Sequence, residues 1–156
     1  MRTTPLPFGN VIFCDDIRQE AGGKLSLMGI YHSDMVFAAG TTFPLMLPKL
    51  GVLMTWFESA ATPDDDLMFK IGLRRLETDP EAEDDHPLGE ITLNTKEAKA
   101  AAASGRDLSG AYVRAHLSHT IVFSPCLIPF PGLLRVRVVT GGEVWGLGAI
   151  NVVAAS

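Results

Sequence analysis

The sequence predicts an all-β protein: a single antiparallel β-sandwich, immunoglobulin-like or similar, of about eight strands over residues 1–156, with one short Ala-rich helix around 95–104. Three observations carry this expectation. Apolar and polar residues alternate with period two in short segments, which places one side of each strand in a core. Gly, Pro and Asp clusters punctuate those segments. Only KEAKAAAAS reads as a run of strong helix formers. A chain of 156 residues suits one domain and buries roughly 70% of its unfolded surface in one core.

The strand segments are 10–20, 25–37, 50–58, 67–74, 88–94, 111–123, 133–140 and 143–153. In the first, FCDDIRQEAGGKLSLMGIY, a two-residue turn at Gly22-Gly23 pairs Ile17 with Met28 and Asp15 with Ile30 on one side. Asp16 then faces Gly29, and Arg18 faces Leu27, on the other. Asp15 shares the side of Phe13 and Ile17, so its carboxylate needs hydrogen bonds or the strand must bulge. We therefore expect Asp15 to accept backbone N–H bonds at a strand irregularity and Asp16 to pair with Arg18. Both roles are architectural.

Strand 50–58, LGVLMTWFE, is apolar on both sides: Val52, Met54 and Trp56 against Leu53 and Phe57. Such a strand needs cover on both sides. Asn94-Thr95-Lys96-Glu97 resembles a capping box opening the helix, with Gly105 to end it. In the last hairpin, Gly141-Gly142 pairs Val138 with Trp145, Val136 with Leu147 and Leu134 with Ala149 as core. The reverse side sets Arg137 across from Gly146 and Arg135 across from Gly148. These arginines are either solvated, or a carboxylate or neighbouring subunit fills the space over the glycines. The loops TTFPLMLPKL (41–50) and FSPCLIPFPGLL (123–134) mix prolines with large apolar residues, including Leu127 and Phe130. They fold over the open ends of the sandwich or form a docking surface.

Composition excludes several classes. Apolar residues make up 47% and charged ones 20%, which favours a packed globule over a disordered chain. Thirteen basic against 18 acidic residues, with no basic cluster, exclude nucleic acid as a partner. There is neither a signal-like run nor about 18 consecutive apolar residues, so no membrane is implied and a cytoplasmic protein is expected. Cys14 and Cys126 stand apart in apolar company and are expected as reduced, buried thiols.

Chemical motifs are sparse. The acidic loops 62–66, with Asp64, Asp65 and Asp66, and 77–87 suggest calcium, but they lack EF-hand spacing, and successive loops of a meander lie at opposite ends of a sheet. His116 and His119 fall on opposite sides of one strand, which argues against zinc. No G-x-S-x-G, P-loop or dinucleotide fingerprint occurs, so neither an enzymatic function nor a cofactor is expected. A cryptic site of Asp15, Asp16 and His32 is geometrically conceivable, because the same pairing sets His32 opposite Phe13 on the side of Asp15.

The run from Phe13 to Tyr31, continued by FPLMLPKL, resembles a family of small bacterial proteins of unknown function that open with a Cys-Asp-Asp…Arg…Glu, Gly-Lys, Ser-Leu…Gly-Ile-Tyr signature. The similarity extends to LLRVRVVTGGEVWGLGAINVV. It implies an all-β, sandwich-type domain and a patterned unit of Cys14, Asp15, Asp16, Arg18, Gly23, Lys24, Gly29 and Tyr31. No catalytic residue comes with it. The resulting expectation is a binding or structural protein that self-associates or joins a larger assembly, with Arg135, Arg137, Leu127 and Phe130 as candidate contacts. The alternative is a calcium- or small-ligand-binding sandwich that uses the acidic loops.

Overall fold

The computed structural model describes residues 6–63, 65–76, 85–103 and 114–156, and within them the chain is all-β with one short helix. The described strands are β1 (Phe8–Cys14), β2 (Asp16–Gln19), β3 (Leu25–Met28), β4 (Asp34–Phe37), β5 (Leu45–Leu47), β6 (Leu50–Ser59), β7 (Asp66–Arg74), β8 (His86–Asn94), β9 (Arg114–Phe123), β10 (Cys126–Ile128), β11 (Gly132–Thr140) and β12 (Glu143–Ala154). The helix, α1 (Thr95–Ala103), joins β8 to β9.

These strands form a three-stranded sheet in the order β1-β6-β9 and a five-stranded sheet in the order β4-β12-β11-β7-β8. Alternation in the sequence sets which side chains they bury. Val52, Met54 and Trp56 of β6 join Leu67, Phe69 and Ile71 of β7 and Leu134, Val136 and Val138 of β11 in one buried cluster. Each such side chain contributes about 1.5–3 kcal/mol relative to exposure. Helix α1 follows β8, an edge strand of one sheet, and precedes in sequence β9, an edge strand of the other. Its Asn94 Oδ1 accepts the backbone N–H of Lys96 at 2.9 Å, a cap that the sequence signalled. Gly105 lies outside the described residues.

Four expectations need correction. Residues 10–20 are two strands: at Asp15 the chain leaves β6 and pairs with β3 instead. Residues 25–37 likewise split, and β4 runs parallel to β12, with Asn151 beside Asp34, in an otherwise antiparallel molecule. The proline-rich loops each contain a short strand, and these pair with one another, Cys126 with Leu47 and Ile128 with Leu45. Their alternate residues Leu47, Cys126 and Ile128 are buried while Met46 and Leu127 point outward. The count therefore exceeds eight because short paired pieces lack enough residues to display a period.

The fourth correction concerns register. The first hairpin pairs Asp16 with Met28, Ile17 with Leu27 and Arg18 with Ser26, one residue off the expected pairing. Glu20 N–H donates to Lys24 O at 2.8 Å, so three residues, Ala21 to Gly23, make the loop instead of two. In the last hairpin Val138 meets Trp145 and Arg137 meets Gly146 as expected. Beyond them a bulge at Leu147 sets Val136 against Gly148, Arg135 against Ala149 and Leu134 against Ile150. Inward positions thus pass from odd (Trp145, Leu147) to even (Ile150, Val152).

Candidate functional site

The signature residues assemble around the junction of β1, β2 and β3. A one-residue shift in register exchanges the two sides of a strand, and here it exchanges the roles expected of the two aspartates. Asp15, not Asp16, lies against Gly29: a Cβ built on Gly29 would sit 2.0 Å from Asp15 Oδ2, and the φ of 65° at Gly29 is itself in the left-handed region. The Asp15 N–H donates to Met28 O at 2.9 Å. Its carboxylate accepts the Tyr31 hydroxyl, in place of the backbone N–H groups expected. Tyr31, not His32, is opposite Phe13, where the Tyr31 N–H donates to Phe13 O at 2.9 Å.

Asp16 bends back on its own turn. Its Oδ1 accepts the Ile17 N–H at 3.0 Å, and its Oδ2 lies 3.1 Å from Lys49 Nζ and 3.5 Å from Arg18 Nε. The Arg18 pair follows the sequence reading; Lys49 was missed, since only the tertiary fold brings the β5–β6 junction here. Lys49 holds the Asp16 carboxyl below the usual carboxylate range. Gly23, with φ of 73°, and Lys24 form the exposed hairpin tip.

Cys14 is fully buried beneath this hairpin. Its thiol lies 3.4 Å from Asp16 O and 3.7 Å from Gly51 O, and Ile17 packs beside it over Gly51. Cys126 is buried on β10, and neither cysteine forms a disulfide. Burial pushes both thiols up, and burial together with the Asp15 carboxylate pushes the Tyr31 hydroxyl up strongly. All three groups keep their protons in the folded chain after the unfolded chain has released its own. Stability is therefore complete below the ordinary thiol pKa of 9.0 and falls as pH rises beyond it. Urea titrations between pH 7 and 11 should show the midpoint dropping above about pH 9; a flat profile to pH 11 contradicts the assignment.

Arg135 and Arg137 are not solvated. Asp85 lies between them: Arg135 Nη2 is 2.8 Å from Oδ1 and Arg137 Nη2 is 3.0 Å from Oδ2. The carboxylate stands over Gly72 of β7, where an added Cβ would come within 2.7 Å of the Asp85 Cβ. A carboxylate thus does fill space over a glycine beside the arginines, but it belongs to this chain, and the glycine is on the neighbouring strand. A cavity of about 350 Å³ adjoins this cluster. Leu127 is half exposed beside Met46. Phe130 is engaged, with the Arg75 guanidinium 4.0 Å above its ring and His86 edge-on to it.

Two features escaped the sequence reading. Glu58, an inward position of β6, forms a buried ion pair with Lys99 of α1 at 3.0 Å. The Trp56 indole N–H donates to the other carboxylate oxygen at 3.1 Å. An acidic residue in phase with Val52, Met54 and Trp56 was the signal available. Beside this pair a cavity of about 170 Å³ opens at the β11–β12 turn, walled by Trp56, Trp145, Glu58, Asp65, Glu143 and Pro7 among others.

Among the described residues no group of three His, Cys, Asp or Glu side chains could hold a metal ion. Asp66 begins β7 and Asp65 lines the small cavity, whereas Asp64 and residues 77–84 lie outside the described residues. No described helix is long and apolar enough to cross a membrane.

No protein-family model matches the chain, and no curated protein sequence matches it. Among solved structures it is similar to a Pseudomonas fluorescens alkylpurine DNA glycosylase bound to DNA containing an abasic site analog, over 77% of this chain with 14% identity and a TM-score of 0.32. The chain spans 28% of that protein's length. A likeness at this level carries no argument about function.

Proposed function

We propose that this chain is a non-enzymatic β-sandwich protein that works by binding protein, through self-association or as a subunit of a larger assembly, with the outer side of the β1-β6-β9 sheet as the contact surface. One observation carries the reading. Across the three strands Phe8 stacks on Phe57, and Phe57 on His116, each at 4.7 Å between centroids, on the side opposite the core. Ile12 and Leu53 pair farther along the same side, past Asn10 and Thr55, and Val122 is 39% exposed on β9. An antiparallel sheet that meets water normally turns polar residues outward.

Charge favours a second copy as the occupant. The chain carries a net charge of −5, yet none of the outward positions of Phe8–Ile12, Leu53–Phe57 and His116–Val122 is a carboxylate. Two such faces meet without like-charge repulsion. The aspartates support a role in shape: Asp15 is bound to Tyr31 and Asp16 to Lys49.

Sedimentation velocity across a hundredfold range of concentration tests the proposal. Mass above the 16.8 kDa of one chain is expected, returning to 16.8 kDa in Phe57→Glu with unchanged circular dichroism. A wild-type chain that stays at 16.8 kDa throughout the range overturns the self-association reading.

A further inference from the structure

We infer that the cavity walled by both tryptophans is a binding site for a small organic ammonium compound that also carries an oxygen acceptor. The argument starts from the wall. Trp56 and Trp145 meet edge to face, with centroids 6.0 Å apart, at a recess between the end of β6 and the β11–β12 turn. Aromatic rings present negative faces and attract cations that leave water. Three carboxylates share the wall: Glu58, Asp65 and Glu143. Lys99 pairs with Glu58 and also donates to Thr62 O and Pro63 O, so the Glu58–Lys99 pair adds no net charge to the wall. Asp65 and Glu143 are exposed at the rim, and among the described residues no basic side chain lines the recess. The field inside is therefore negative.

The second observation is a donor. Trp145 Nε1 is buried and has no hydrogen-bond partner, although buried indole N–H groups ordinarily find one. Trp56 Nε1, in the same wall, already donates to Glu58. An occupant that sets its cation toward Asp65 and Glu143 and an oxygen toward Trp145 answers both features at once. Size narrows the class. About 170 Å³ is the room of five or six waters and falls below the roughly 300–1,000 Å³ of pockets for drug-sized ligands. An amino alcohol such as choline or ethanolamine fits this description; a nucleotide does not. The inference is independent of the sheet face proposed above, which lies on the other side of β6.

Trp56 and Trp145 are the only tryptophans of the chain, so intrinsic fluorescence reports on this cavity alone. The full chain is titrated with choline chloride, with ethanolamine, and with 3,3-dimethyl-1-butanol, the uncharged analogue of choline. We expect a saturable change with at least one of the two ammonium compounds and none with the alcohol. The same compound should raise the melting temperature. In Asp65→Asn/Glu143→Gln, two exposed changes that leave the fold intact, the apparent Kd should rise about tenfold, and Trp145→Phe should weaken binding by several-fold. No saturable response to either ammonium compound at 20 mM, or an equal response to the alcohol, overturns the inference. So does binding to phosphatidylcholine vesicles without a response to free choline, which would assign the recess to a membrane headgroup instead. Oligomer mass is unaffected by any of these outcomes, so failure here and failure of the self-association reading are separately visible.

Discussion

Lys99→Met is expected to destabilise the fold by about 3–5 kcal/mol, the cost of leaving one partner of a buried ion pair alone. The side chains of Lys99 and Glu58 are 6% and 4% exposed, so water cannot replace the lost ammonium. The substitution also strands Thr62 O and Pro63 O, which the ammonium bonds at the turn after β6. Against the roughly 5–15 kcal/mol that hold a typical domain together, such a loss is severe. The compensating variant identifies the cause. Lys99→Met combined with Glu58→Gln removes the orphaned charge and keeps an oxygen for the Trp56 N–H, so it should recover more than half of the loss. Urea unfolding of the two variants decides between this account and simple loss of helix packing, under which the double variant is no better than the single one.

Asp85→Ala is expected to cost about 3 kcal/mol. One carboxylate, 7% exposed, neutralises two guanidinium groups that are themselves 17% and 18% exposed. Arg135 Nε donates to both carboxylate oxygens, at 3.0 Å to Oδ1 and 2.8 Å to Oδ2, and Nη2 adds an ion-pair contact at 2.8 Å from Oδ1, charge-assisted bonding of the strong kind. Its removal takes a shared counter-charge from two guanidinium groups that stand on one strand with little water to screen them. Asp85→Asn keeps an acceptor without the charge and should fall between wild type and Asp85→Ala. Gly72→Ala should reproduce part of the effect without touching a charge, because the new methyl occupies the space of the Asp85 side chain. Thermal unfolding of the three variants measures the order; an Asp85→Ala protein within 0.5 kcal/mol of wild type, the range of ordinary surface changes, would show the cluster to be incidental.

How much of this was legible from the chain differs by element. Strand β6 was clear, since Val52, Met54 and Trp56 keep strict phase over ten residues, and so was helix α1, whose cap and alanines are local signals. Strands β5 and β10 were not, because three residues hold no period and their pairing partner lies about eighty positions away in sequence. The last hairpin was read correctly up to Arg137 and Gly146 and wrongly beyond. The change of apolar phase between Leu147 and Ile150, straddling Gly148, was the visible mark of the bulge. At the candidate site, Asp15, Asp16, Arg18 and Tyr31 were all singled out, but with a register one residue off, which handed the glycine neighbour to the wrong aspartate.

The sequence by itself determined that the chain is all-β, which side of strands such as β6 is buried, and that its early aspartates lie at a strand irregularity, because alternation, turn residues and capping act over a few positions of the backbone. Tertiary structure alone decided the partners of its buried charges. Lys99 reaches Glu58 across 41 residues and Asp85 reaches Arg135 across 50, and no local rule chooses between one distant carboxylate and another. That choice follows from which strands become neighbours, and it settles where desolvated charge, aromatic walls and an unpaired donor come together.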